Sequence, residues 1–182
     1  MYTELSMWAK QKRQFGFTIV ELLIVIVVIG ILAAITIVSF NGAQNKANDA
    51  AVKTDLANIA KTFRMYAAEH VDLYPVGTGI TSDVNIRVSK NAYDSGFQSG
   101  SSNYNLLYCR VTDGGSPTDF ALVASSKSGN VFYNSSTKGA GQLAGGWNNG
   151  SMSVCNSLGI NQTNVSDRDF FYQDAWKSYV KG

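Results

Sequence analysis

The chain has 182 residues and a formal net charge of +2, a length that suits one ordinary domain with an extension and excludes two large ones. Three of its 15 basic residues and one of its 13 acidic residues precede Gly16, which leaves 12 of each sign beyond it. No basic bias remains there, so nucleic acid is not indicated as a partner.

The first segment, residues 1–16, places Lys10, Lys12 and Arg13 just ahead of an apolar run. It lacks an apolar h-region of its own and an Ala-x-Ala exit, so it does not read as a conventional secretory signal. By the positive-inside rule this leader lies in the cytoplasm and the remainder of the chain is exported.

From Phe17 to Phe40 the only charged side chain is Glu21. A helix over that run is about 36 Å long, enough to cross a bilayer core of ~30 Å with some tilt. A carboxylate inside such a span costs ~2.5 kcal/mol or more, so it marks a functional position that needs a partner. A cut between Gly16 and Phe17 would create one, an α-amine about one helical turn from Glu21 or on a neighbouring copy.

A basic leader ending in Gly16, followed by Phe17-Thr18-Ile19-Val20-Glu21-Leu22-Leu23-Ile24 and an apolar run through Ile35, resembles the N-terminus of type IV pilins and of type II secretion pseudopilins. The resemblance implies cleavage after Gly16 by a membrane prepilin peptidase and methyltransferase, N-methylation of Phe17, and polymerisation through contacts of Glu21 with the N-terminus of an adjacent subunit. It also implies a filament built from copies of this chain on an assembly platform in the inner membrane, with the subunit held in the membrane before assembly. No cofactor is expected. The alternative within the resemblance is a pseudopilin of a secretion or DNA-uptake system. The competing class is a membrane-anchored periplasmic enzyme or binding module, which would keep its leader and tolerate loss of Glu21.

Gly30 and Gly42 punctuate the helix, but neither is followed by Pro, and helix formers resume at Ala43 to Ala47. Continuity is expected to about Glu69. Val52, Leu56, Ile59, Phe63 and Tyr66 recur at three- or four-residue spacing and form one stripe, with Lys53, Asp55, Lys61 and Arg64 off it. Asp49 and Lys53 form a helix-favouring pair. Residues 17–42 are read as the transmembrane or filament-core helix, and 43–182 as the amphipathic half plus an exported globular head. Pilins often carry Pro about twenty residues after the cleavage point; here there is none, and the two glycines are expected either to soften the intervening helix or to permit close packing.

Tyr74-Pro75 is expected to stop the helix. Residues 76–103 read as a connection with one strand at Val84 to Ser89. Strands are then predicted at Tyr104 to Thr112, Phe120 to Ser125 and from Val131, the last two joined by a hairpin at Lys127 to Asn130. The fold class is α+β, a long helix packed on a small antiparallel meander with one face free for Leu56, Ile59 and Phe63.

Glycine dominates beyond Lys138, which predicts loops; Gly139-Ala140-Gly141 lacks the ending of a phosphate-binding loop. Export permits a disulfide between Cys109 and Cys155, the latter in this loop region, against the alternative of two buried thiols. Ser166 and Asp169 suggest a helix cap ahead of Phe170, Phe171, Asp174, Trp176 and Tyr179. Calcium at Asp167, Asp169 and Asp174 is the alternative drawn from the pseudopilin resemblance, but the ligand loop is missing and no metal is expected. His70, the only histidine, falls where a helix-end cap or packing residue belongs, and no catalytic constellation stands out, so an enzyme is not expected.

Overall fold

A computed structural model describes residues 16–76, 84, 86–94, 97–99, 102–110, 118–145, 150–160, 168–172 and 180–181. The leader therefore lies outside the described residues, apart from Gly16. The chain forms two compact units, residues 1–41 and 42–182.

Helix α1 spans Ile19–Glu69 without interruption at Gly30 or Gly42. A Cβ at either glycine would meet nothing within 4 Å, so neither is required for packing among the described residues. Every side chain from Phe17 to Phe40 is exposed. In the second unit the same helix buries Val52, Leu56, Ile59, Ala60, Phe63 and Ala67, the predicted stripe with small residues filling its flanks. Asp55, which lies off the predicted stripe, is buried too, at 7 % exposure.

The helix ends at Glu69, but not through Pro75. Val71 and Asp72 adopt left-handed backbone, with φ of 56° and 58°, and the Asp72 N–H donates to the Ala67 carbonyl at 2.9 Å. This turn satisfies a carbonyl the helix would otherwise leave open and redirects the chain before proline is reached. His70 stacks on Tyr66, with centroids 3.8 Å apart, and its Nδ1 lies 2.8 Å from the Tyr66 carbonyl oxygen.

After α1 come β1 (Ile86–Arg87), a 3-10 turn at Lys90–Ala92, β2 (Phe97–Ser99), β3 (Ser102–Arg110), β4 (Phe120–Ser125), β5 (Val131–Ser135), β6 (Gly139–Gln142), helix α2 (Gly150–Ser157), β7 (Arg168–Tyr172) and β8 (Val180–Lys181). The main sheet has six strands in the order β2-β3-β4-β5-β6, with β7 paired to β3. β1 and β8 form a separate parallel pair, Ile86 opposite Val180. The β4–β5 hairpin closes with the Ser126 N–H donating to the Asn130 carbonyl at 2.8 Å, and Gly129 supplies the φ of +88° that the turn needs.

The predicted three-strand meander is present as β3-β4-β5, with one face against α1 as expected and the other face covered as well. Leu106, Tyr108, Phe120, Leu122, Ala124 and Phe132 turn toward α1 and close a core with Val52, Leu56, Ile59 and Phe63. The alternating residues Leu107, Cys109, Ala121, Val123 and Val131 turn the other way and pack with Val154, Cys155, Leu158 and Ile160, on and after α2. Every residue of β4 is therefore buried. A strand covered on both faces reads as a continuous apolar run instead of an alternating one, and Phe120-Ala121-Leu122-Val123-Ala124 is such a run.

Two further expectations are corrected. Cys155 lies on helix α2, not in a loop. Arg168–Tyr172 is a strand antiparallel to β3, not a capped helix. Phe170-Phe171-Tyr172 consists of β-formers, and pairing along β3 outweighs one local cap. Asp169 lies on this strand; Ser166, Asp167, Asp174, Trp176 and Tyr179 lie outside the described residues. Glycine also did not prevent β6, where a Cβ on Gly141 would come within 2.5 Å of the Tyr133 ring, so only glycine lets that ring lie flat against the strand.

Candidate functional site

The first unit holds Gly16, Phe17 and Glu21. Because α1 begins at Ile19, Thr18 is its N-cap and Glu21 its third residue. The Thr18 N–H and hydroxyl both donate to Glu21 Oε2, at 2.8 and 2.7 Å, and the Glu21 N–H donates back to Thr18 Oγ1 at 3.2 Å. This is a reciprocal capping box. It places the carboxylate over the positive end of the helix dipole and engages one of its oxygens. The signal for this cap is local in the sequence, Thr18-x-x-Glu21.

Phe17 is 89 % exposed, and a Cβ on Gly16 would meet nothing within 4 Å. Among the described residues nothing thus demands glycine at position 16. The helix is long and apolar enough, by length and composition, to cross a membrane. Its apolar surface lacks a cover from the described chain, and an uncovered patch of this kind marks contact with lipid or protein.

The head carries two carboxylates that fasten α1 to the sheet side. Asp55 accepts from the Ser89 N–H at 2.6 Å, the Tyr93 hydroxyl at 3.2 Å and the Ser89 hydroxyl at 3.5 Å. Burial raises its pKa, and these hydrogen bonds only partly oppose the rise. Burial and the neighbouring Asp55 carboxylate push the Tyr93 hydroxyl well above its ordinary value. Asp49 accepts from the Ser128 hydroxyl and, at 2.8 Å, from Asn130 Nδ2. Its burial works to raise the pKa, but donors at Ser128, Ser126 and Asn130, with Lys53 nearby, bring it below the ordinary value. The expected Asp49 and Lys53 proximity is thus secondary to a tether between α1 and the β4–β5 turn.

Cys109 on β3 and Cys155 on α2 form a disulfide, with Cα atoms 5.6 Å apart. Phe63 anchors the core side, meeting Tyr108 and Phe120 edge-on at centroid distances of 4.9 and 5.7 Å. No group of three or more His, Cys, Asp or Glu suited to a metal occurs among the described residues.

Residues 11–37 match the family model described as the prokaryotic N-terminal methylation motif. Over 66 residues the chain is 32 % identical to type II secretion system core protein G of Vibrio cholerae, covering 36 % of this chain and 44 % of that protein. Over 55 residues it is 44 % identical to the type IV wide pilus major component PilA4 of Thermus thermophilus, covering 30 % of this chain and 42 % of that one. The core protein G of Aeromonas hydrophila gives 32 % over 66 residues, 36 % of this chain and 46 % of its own. The chain thus spans less than half the length of these relatives. No solved structure matches it.

Proposed function

We infer that this chain, a protein of the type IV pilin and pseudopilin family by its N-terminal segment, is made as a prepilin, cut after Gly16, methylated at Phe17 and polymerised as a structural subunit of a type IV pilus. The single observation that carries the reading is Glu21, seated in the capping box of a helix whose apolar surface is uncovered. In lipid that carboxylate is costly, and the α-amine of a neighbouring copy, created at Phe17, offsets the cost when helices bundle. Identical copies repeating one heterologous contact make an open fibre. Gly16 supports the reading, because it ends the basic leader just ahead of Phe17, within the matched methylation motif. Before assembly the subunit sits in the cytoplasmic membrane with its leader inside and its head exported. Its partners are further copies of itself, the prepilin peptidase and methyltransferase, and the assembly platform. The role is structural, not catalytic.

Mass spectrometry of the mature protein is expected to find an N-terminus at methylated Phe17, and electron microscopy of sheared cells to find fibres composed of this chain that vanish with Glu21→Ala. Retention of Met1, or normal fibres from the variant, would overturn the reading. The likeness to core protein G favours a second reading, a pseudopilin. It shares the processing but predicts loss of protein secretion, with no surface fibres, when the chain is deleted.

A further inference from the structure

We propose that the outer edge of β6, with the groove between it and α1, binds an extended acidic segment of a partner protein by strand addition. β6 ends the main sheet, and among the described residues nothing pairs with its outer edge. Its phase follows from the ladder. Phe132 lies opposite Gln142 and Asn134 opposite Ala140, while the Leu143 N–H donates to the Val131 carbonyl at 2.9 Å. Hydrogen-bonded and non-bonded pairs alternate in an antiparallel ladder. With Leu143 bonded toward β5, Gly141 bonds the same way, and the N–H and C=O of Ala140 and Gln142 point outward. Ala140 and Gln142 are exposed, and β6 carries neither charge nor proline, the usual protections of an edge.

A groove of ≈ 310 Å³ runs beside this edge, lined by Lys53, Leu56, Phe132, Asn134, Ala140 and Gln142. Cross-strand partners share a face, so alternate side chains of an added strand would point into this groove. On its far wall stands Lys53, part of a longer basic row on α1. Lys46, Lys53 and Arg64 are spaced by seven and eleven residues, which puts them within about 20° of one line along a helix. Two of them are fixed against β5. Lys53 Nζ sits 4.5 Å from the Phe132 ring centre, and Arg64 Nη2 donates to Asn134 Oδ1 at 3.4 Å. Asp49, one turn before Lys53, is taken up by Ser128 and Asn130. An edge that needs a backbone partner, next to a row of cations, fits an acidic strand: the backbone supplies affinity and the charges supply selection. The site lies on the head and is independent of the assembly contacts at Glu21.

The test is fluorescence anisotropy of a blocked, labelled peptide of alternating Glu and Val with the full chain in neutral detergent micelles. Saturable binding is expected, with no binding of the Lys and Val counterpart. Ala140→Pro removes one outward donor without touching the β5 ladder and is expected to weaken binding about tenfold. Lys53→Gln, a change at an exposed side chain, is expected to weaken it severalfold and to flatten its salt dependence. Unchanged thermal melting checks that both variants fold. Should Ala140→Pro misfold, Lys53→Gln still decides. Equal affinity for wild type and the folded Ala140→Pro variant, or no saturable binding, overturns strand addition. Displacement of the peptide by single-stranded DNA at lower concentration than by unlabelled peptide assigns the basic row to nucleic acid and overturns the protein partner.

Discussion

Asp55 offers a direct measure of how firmly the segment around Ser89 is held to the helix. Replacing it with alanine leaves the Ser89 N–H, the Ser89 hydroxyl and the Tyr93 hydroxyl without their acceptor in a site where Asp55 is only 7 % exposed. The hydroxyls can turn toward other acceptors or water, but the backbone N–H cannot. A cost of about 2–3 kcal/mol is therefore expected, roughly a 5–10 °C fall in melting temperature for a domain of this size. The pH dependence has a definite sign. Burial raises the pKa of Asp55 in the fold, so the folded state holds the proton more tightly than the unfolded chain does. The stabilisation arising from this shift is fully present below the unfolded pKa and is lost as pH rises through the folded one. Near-UV circular dichroism melts of wild type and Asp55→Asn, taken across the carboxylate range and at pH 7, isolate it. Wild type is expected to gain on the Asn variant as pH falls. A wild-type advantage that grows instead with rising pH would show a depressed carboxylate and refute the reasoning.

Three further outcomes are expected. Cys109→Ser with Cys155→Ser, which opens a link across 46 positions of chain, lowers head stability by about 2–4 kcal/mol in urea unfolding. Phe63→Ala empties a fully buried site shared with Tyr108 and Phe120 and costs about 3–5 kcal/mol by the same measurement. Thr18→Ala removes the N-cap and about 1 kcal/mol of local stability, seen as roughly fivefold faster amide exchange in the first turn of the helix in micelles.

The long helix was legible because its signals are local: an apolar run with one acid, then a stripe at helical spacing ending close to Glu69. β4 was legible for a similar reason, a compact run of β-formers between turn residues. What could not be read depended on partners far along the chain. The apolar run of β4 signals burial on both faces, but nothing local names the cover for Leu107, Val123 and Val131, which arrives as α2 from residues 150–157. Asp55 resembles any exposed helical acid until Ser89 and Tyr93 fold over it. Arg168–Tyr172 carries a cap-like local signal that pairing with β3 overrides. In the candidate site, Glu21 is legible from hydropathy, whereas its cap by Thr18 rests on a two-residue match at i and i+3 that is common by chance.

The all-buried character of β4 bears on how this head can diverge. With α1 against one side of the sheet and α2 against the other, the middle strand offers no position from Phe120 to Ala124 at which a side chain could change without disturbing one of two cores. Change is thus confined to the perimeter: the outward rims of the ladder, the turns and the connecting segments. A collection of descendants would be expected to keep Phe120 to Ala124 nearly constant while those borders drift.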